Sequence, residues 1–106
     1  MKVLFDQGTP APLRRALVGH SVETAYEQGW SSLQNGELIA AAEAAGFEVF
    51  VTTDKNLKYQ QNLATRALSI VVLLTTSWPR IQNSLPAVLA AVESAVPGGY
   101  VEVPIE

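Results

Sequence analysis

The sequence predicts a single α/β domain with a central, mainly parallel β-sheet and helices on both faces. Short apolar runs with β character alternate with segments of helical spacing, the pattern of parallel strands joined by right-handed crossovers. The run Leu68–Leu74 is apolar on both faces, as a strand inside such a sheet should be. The chain has 106 residues, which fits one domain over residues 1–106.

Five strands are predicted where apolar, β-favouring runs are bounded by turn residues. They are Lys2–Phe5, His20–Thr24, Phe47–Thr52, Leu68–Leu74 and, at an edge of the sheet, Tyr100–Val103.

Helices are predicted between the strands, where proline and glycine mark their ends. Thr9-Pro10 has the form of an N-cap followed by a first-turn proline, and the helix that it opens should stop at Gly19. Asn35 should cap a second helix that ends at Gly46, a natural C′ residue. A short helix over 57–64 and a long one from about residue 80 to 96 complete the set, with a break or late start expected at Pro86.

The composition excludes several classes of protein. Hydrophobic residues make up 48% of the chain and charged residues 16%, which indicates a folded domain with a real core. The net charge is −3, so binding of nucleic acid by charge alone is not expected. An acidic balance is still compatible with a nuclease, because a bound metal restores positive potential where the phosphate binds.

Cysteine is absent and there is one histidine, which excludes disulfides, thiolate catalysis and zinc sites built from Cys or several His. Met1-Lys2 leads directly into a strand-like run, so no signal peptide is expected. The longest apolar stretch, 67–74, is too short to span a bilayer. We therefore expect a cytoplasmic protein without membrane contact, and the high apolar fraction is compatible with a homodimer.

Polar turns follow three of the predicted strands, where ligand sites of open α/β sheets lie. They are Asp6-Gln7-Gly8, the turn 52–56 that contains Asp54, and Thr75-Thr76-Ser77. If the first and third strands are neighbours, Asp6 and Asp54 come within reach of each other. Two converging carboxylates repel unless a cation or proton lies between them, and oxygen ligands suit Mg²⁺ or Mn²⁺. Such a metal activates a water and polarises a phosphoryl oxygen.

Each acid also has a purely structural interpretation. Asp6 could start a turn or cap the following helix, and Asp54 could form an Asx turn. Glu37 lies in the first turn of a helix, where a carboxylate favours the macrodipole. Trp30 and Trp78 are interpreted as packing residues, although stacking on a base is compatible with their loop positions. Lys55 and Lys58 flank Asp54 and are the best candidates among the basic residues for phosphate contacts.

Several motifs together resemble small bacterial PIN-like domains. The strand ending in Asp6, the segment Gly19-His20-Ser21-Val22, and Gly29-Trp30 leading to Asn35-Gly36-Glu37 match that family's pattern. Its most recognisable motif, an apolar strand ending in Thr-x-Asp and a polar turn, corresponds to 51–57. The resemblance covers residues 1 to about 77.

The resemblance implies a PIN-like three-layer α/β/α sandwich and a metal-dependent endoribonuclease. Carried over by residue, Asp6 matches the first acid, Glu37 the helix acid and Asp54 the strand-end acid, which together would hold Mg²⁺ or Mn²⁺. Lys55, Lys58, Thr76 and Ser77 would help to position the RNA phosphate. Many members are predicted toxins of toxin–antitoxin pairs, so RNA and an antitoxin protein are the implied partners.

Two departures from the family pattern leave alternatives open. Gln7-Gly8 replaces the usual Glu-Asn, and Asn35 stands where Asp is common, so a catalytically inactive, protein-binding PIN-like module is the second hypothesis. The third is a receiver-like domain phosphorylated on Asp54 and read by Thr76 or Ser77. Against the third, Asp6 has no acidic neighbour and the last strand is followed by no lysine.

Overall fold

The computed structural model of the chain describes residues 1–55, 57 and 67–105. These residues form five strands, three α-helices and one short 3-10 helix. The strands are β1 (Lys2–Phe5), β2 (Ser21–Thr24), β3 (Val49–Thr52), β4 (Ser69–Leu73) and β5 (Tyr100–Val103). The α-helices are α1 (Asn35–Ala44), α2 (Trp78–Gln82) and α3 (Leu85–Glu93), and the 3-10 helix is Ala11–Ala16.

All five strands are parallel and lie in the order β2-β1-β3-β4-β5. The predicted parallel sheet is therefore confirmed, with Tyr100–Val103 at one edge. The order 2-1-3-4-5 is that of flavodoxin-like doubly wound sheets, in which the chain reverses its direction of winding between β1 and β3. That reversal creates a crevice beyond the carboxyl ends of these two strands.

Two apolar clusters cover the two faces of the sheet, because alternate side chains of each strand point to opposite faces. Val3 and Phe5 face the cluster that contains Leu13 of the 3-10 helix, Ile81 of α2 and Val88 of α3. Leu4 faces the other cluster, which is built around α1. Every residue of β3 and β4 is buried, as expected for interior strands of a parallel sheet. Helices on both faces of a parallel sheet confirm the α/β class and are compatible with a three-layer sandwich.

The end of α1 agrees with the sequence. Gly46 has φ +84°, and its N–H donates to Glu43 O at 3.1 Å, while the Phe47 N–H donates to Ala42 O at 3.0 Å. This pair of hydrogen bonds is a Schellman motif, which needs a left-handed residue at C′. The glycine therefore ends α1 and turns the chain toward β3.

Several predicted helix boundaries were wrong. Thr9 does not cap the first helix: Pro10 occupies the N-cap position of a 3-10 helix, and the Thr9 hydroxyl binds elsewhere. Gln34 rather than Asn35 precedes α1. The single long helix predicted over 80–96 is two helices, and Pro86 lies in the first turn of the second, where its missing N–H costs no hydrogen bond.

The helix predicted over 57–64 falls outside the described residues, apart from the buried Leu57. Within the described part of the chain, no helix is long and apolar enough to cross a bilayer.

Candidate active site

The carboxyl ends of β1 and β3 lie side by side at the crevice. Phe5 of β1 lies opposite Val51 of β3. The next residue, Asp6, donates its backbone N–H to Val51 O at 3.1 Å. Asp54 follows β3 by two residues. The first and third strands are therefore neighbours, which is the condition under which the turns that carry Asp6 and Asp54 meet.

The Asp6 carboxylate is fixed by three hydrogen bonds. Its Oδ1 accepts from the Thr9 backbone N–H at 3.0 Å and lies 2.7 Å from the Thr9 hydroxyl oxygen. Its Oδ2 accepts from the Thr52 hydroxyl. Thr9 and Thr52 are both buried, so water competes little for these bonds. The turn-forming interpretation of Asp6 is thus satisfied by the structure, and the same bonds leave the carboxylate in one orientation.

The Thr52 hydroxyl also connects the two acidic turns. It accepts a hydrogen bond from the Asp54 backbone N–H at 3.1 Å while it donates to Asp6. Its side chain is fully buried at the end of β3. One hydroxyl group therefore holds the turn after β3 against the carboxylate after β1.

Gly8 allows the two turns to approach closely. A Cβ atom at this position would lie 2.6 Å from Thr53 Oγ1, closer than side-chain atoms pack. Glycine at this position is therefore what lets the turn after β1 lie directly against the turn after β3.

Gln7, the neutral neighbour of Asp6, links two loops. Its side-chain amide donates to Ser31 O at 2.6 Å, which ties the turn after β1 to the segment between β2 and α1. A glutamate could not donate this hydrogen bond, since an ionised carboxylate only accepts. The neutral residue thus has a structural role at the position where an acid was expected.

Asp6 borders two open cavities at this edge of the sheet. One, of about 190 Å³, extends beneath Gln7 and Gly8 toward Trp30 and Leu38. The other, of about 500 Å³, extends past Thr9 and Thr24 to Tyr26. Ser31 borders both. The fixed carboxylate is therefore accessible to a ligand from solvent.

Glu37 lies in the first turn of a helix, as its structural interpretation predicts. It is exposed in the first turn of α1, and its carboxylate accepts from the Gln34 backbone N–H at 3.4 Å. It borders neither cavity that contains Asp6. The structure explains Glu37 as a helix-capping residue, and no contact joins it to Asp6 or Asp54 within the described residues.

The predicted phosphate-binding residues are spread along the same edge. Lys55 is exposed next to Asp54, and Lys58 lies outside the described residues. Thr76 is exposed and Ser77 half-buried, both beyond the end of β4. Ser77 occupies the N-cap position of α2, and its N–H donates to Thr75 Oγ1 at 3.1 Å. Neither Thr76 nor Ser77 borders a cavity that contains Asp6.

The acids of the described ranges form no cluster of three. No three His, Asp or Glu side chains in residues 1–55, 57 and 67–105 lie close enough to hold one metal ion. A site for Mg²⁺ does not need three, because this ion keeps several waters and is usually bound by one or two carboxylates and substrate phosphates. Asp6 fits such a ligand, since ligating carboxylates are held by further hydrogen bonds.

Sequence reasoning missed an ion pair beside this site. The exposed carboxylate of Glu27 pairs with Arg14 of the 3-10 helix. Its carboxylate also accepts from the Thr24 backbone N–H at 3.0 Å. The Arg14 hydrogen bond, followed by that of the Thr24 N–H, lowers the pKa of Glu27 below its ordinary value of 4.5. The spacing Thr24-x-x-Glu27, typical of a capping box, was the available signal.

The aromatic residues near the site divide into packed and exposed ones. Trp30 packs edge to face on Phe47, with ring centroids 6.1 Å apart, and Trp78 packs against the core on the opposite face of the sheet. The packing interpretation of both tryptophans is therefore confirmed. Tyr26, which the sequence did not single out, is 78% exposed and borders the larger cavity beside Asp6.

Comparison of the chain with family models, with curated proteins and with solved structures gives no match.

Proposed function

We propose that this protein is a divalent-metal-dependent endoribonuclease whose site lies at the carboxyl ends of β1 and β3. The observation that carries the proposal is the Asp6 carboxylate, held in one orientation by Thr9 and Thr52 at the edge of an open crevice. Ligands of doubly wound sheets bind at this crevice. The motif resemblance to PIN-like domains supplies RNA as the substrate, and the cytoplasm is the proposed place of action.

Asp6 and Asp54 are the proposed primary ligands of Mg²⁺ or Mn²⁺, and Glu37 is the proposed third acid. The bound metal would supply Lewis acidity for the phosphodiester and lower the pKa of a water nucleophile. Thr9 and Thr52 would act as positioning residues, because their hydrogen bonds orient Asp6. The Thr52 hydroxyl, which binds Asp6, also accepts the Asp54 N–H, and this supports a site in which Asp6 and Asp54 are held in a fixed relation to each other.

The other proposed residues act on the substrate. Lys55 offers a positive charge next to Asp54 for the RNA phosphate, and Lys58 is proposed for the same role. Thr76 and Ser77 would donate hydroxyl hydrogen bonds to a phosphate further along the strand ends. An antitoxin protein and a second copy of the chain are the proposed protein partners.

The test is cleavage of a mixed RNA by the purified protein with Mn²⁺, with and without EDTA. Asp6→Asn and Asp54→Asn keep the side-chain shape but remove the charge, and each should reduce cleavage at least tenfold. Glu93→Gln is the matched control, because Glu93 is exposed in α3 and borders no cavity with Asp6. Cleavage that survives both Asp variants or EDTA would overturn the proposal.

The second candidate is an inactive PIN-like module that binds a protein. It is favoured by the structural use of Gln7, and by the lack of a three-acid cluster in the described part of the chain. Calorimetry with Mn²⁺ separates it from the first: binding that Asp54→Asn removes supports the nuclease, and no binding together with no cleavage supports the inactive module.

The strand order is shared with receiver domains, which favours the phosphoacceptor hypothesis as a third candidate. The neutral Gln7 beside Asp6 and the absence of a lysine directly after β5 argue against it. Incubation with acetyl phosphate and Mg²⁺ tests it, because a receiver would gain one phosphoryl group, lost in Asp54→Asn, by intact-mass measurement.

A further inference from the structure

A continuous groove leads away from Asp6 across the edge of the sheet. The cavity of about 500 Å³ beside Asp6 shares Ala11 and Thr24 with a second cavity of about 500 Å³. The second cavity is bordered by Arg14, Arg15 and Glu27. The groove therefore has a fixed carboxylate at one end and two guanidinium groups at the other.

An exposed aromatic ring borders the part of this groove that contains Asp6. Tyr26 is 78% exposed, so its ring does not gain the free energy that burial gives an aromatic side chain. Its backbone is fixed in a turn, because the Gly29 N–H donates to Tyr26 O at 3.0 Å and Gly29 has φ +79°. The Glu27 N–H also donates to Thr24 Oγ1 at 3.1 Å, within the same turn. The ring is thus presented to solvent by an ordered segment.

The two arginines differ in their partners. Arg14 is paired with Glu27, which neutralises its charge locally. Arg15 is exposed at the last turn of the 3-10 helix, and it makes no hydrogen bond or ion pair with the residues that the structure describes. Arg15 is therefore the cation of the groove that is available to a phosphate.

We infer that this groove binds single-stranded RNA, with one base stacked on Tyr26 and a backbone phosphate contacting Arg15. The inference rests on the proposed function, because it places the RNA so that it runs toward Asp6. An aromatic platform beside a cationic group is how proteins hold single strands without reading sequence. A duplex does not fit this mode, since its bases are stacked on each other and expose no face.

The test measures binding without cleavage. A fluorescein-labelled RNA of about ten nucleotides, within the usual site size for such grooves, is titrated with protein in EDTA and followed by anisotropy. Tyr26→Ala should weaken binding about tenfold, and Tyr26→Phe should bind as the parent protein does, because the ring alone stacks. Arg15→Gln should reduce the slope of log affinity against log salt by about 0.7. Arg80→Gln, an exposed arginine outside both cavities, is the matched control.

The outcomes separate this inference from the nuclease proposal. Equal binding by the parent protein and Tyr26→Ala, or equal binding of a hairpin duplex, would overturn the groove even if the parent protein cleaves RNA. Binding that depends on Tyr26 without metal-dependent cleavage would support the groove and contradict the nuclease. Weaker binding by Arg80→Gln equal to that of Arg15→Gln would show general charge attraction and overturn the role of Arg15.

Discussion

The Thr52 hydroxyl hydrogen-bonds the Asp6 carboxylate across two neighbouring parallel strands, although the two residues are 46 positions apart in the chain. The same hydroxyl accepts the Asp54 N–H. A movement of β3 relative to β1 would therefore change the orientation of Asp6 and the path of the Asp54 turn together. Thr52 therefore couples the position of the Asp6 carboxylate to that of the Asp54 turn.

Replacement of Thr52 by valine should destabilise the fold by about 1–3 kcal/mol, because it removes the hydrogen bonds of Asp6 Oδ2 and of the Asp54 N–H at a half-buried place, while Thr9 still binds Asp6 Oδ1. Valine has the same shape as threonine, so packing is preserved. Urea unfolding measures the change, and Thr76→Val, at an exposed hydroxyl, should alter stability by less than about 0.5 kcal/mol. Equal stabilities for the two variants would contradict the central role of Thr52.

A methyl group at Gly8 should destabilise the protein by about 1–3 kcal/mol, because it would collide with the Thr53 hydroxyl. The backbone of Gly8 has no positive φ, so the cost is steric rather than conformational. Thr53→Ala removes the colliding atom and should recover most of the loss in the double variant. A double-mutant cycle by urea unfolding checks this, and additive effects would show that the two turns are not in contact.

Glu27→Gln should lower stability near neutral pH and have little effect in acid. The folded-state pKa of Glu27 is below 4.5, so its contribution is present above that value and is lost as the pH falls through the folded-state pKa. Urea midpoints of the parent protein and the variant should therefore converge at low pH, and high salt should reduce the difference because the pair is exposed. Arg14→Gln should show the same convergence; a difference that is constant with pH would argue against the ion pair.

Gly46→Ala should destabilise the protein by about 1–2 kcal/mol, since alanine is strained in the left-handed conformation that ends α1. Gly46→Asn should cost less, because asparagine tolerates that conformation. Thermal unfolding followed by circular dichroism compares the two. A loss as large for asparagine as for alanine would point to lack of space, which is inconsistent with the open surroundings of Gly46.

The sequence predicted the elements of the fold well where turn residues and the pattern of apolar residues indicate the same strand or helix. β4 was recognised because a short continuous apolar run bounded by turns is typical of an interior parallel strand, and Gly46 because glycine is the residue most often found at a helix C′ position. The 3-10 helix was mistaken for one capped by Thr9, because the sequence does not show that a carboxylate three residues earlier accepts the Thr9 N–H. The Thr9 hydroxyl also lies 3.0 Å from Val51 O, and a contact across 42 positions cannot be read from sequence periodicity.

The candidate site was predictable only in its backbone placement. Parallel strands put Asp6 and Asp54 at one edge, which follows from topology alone. Tyr26 and the Arg14–Glu27 pair escaped notice because their positions depend on how the 3-10 helix meets the turn after β2. Glu37 caps α1 through the Gln34 N–H, and Lys58 lies outside the described residues.

The position of β1 between β2 and β3 also has a consequence for synthesis on the ribosome. β1 is translated before β3, and the Thr52 that binds Asp6 follows it by 46 positions, about 2–9 seconds at common elongation rates. Until then an apolar strand has one unpaired edge, the kind of surface that chaperones bind and that promotes aggregation. The nascent chain is thus more vulnerable than the folded domain, and Asp6 acquires its orientation only after Thr52 has been made.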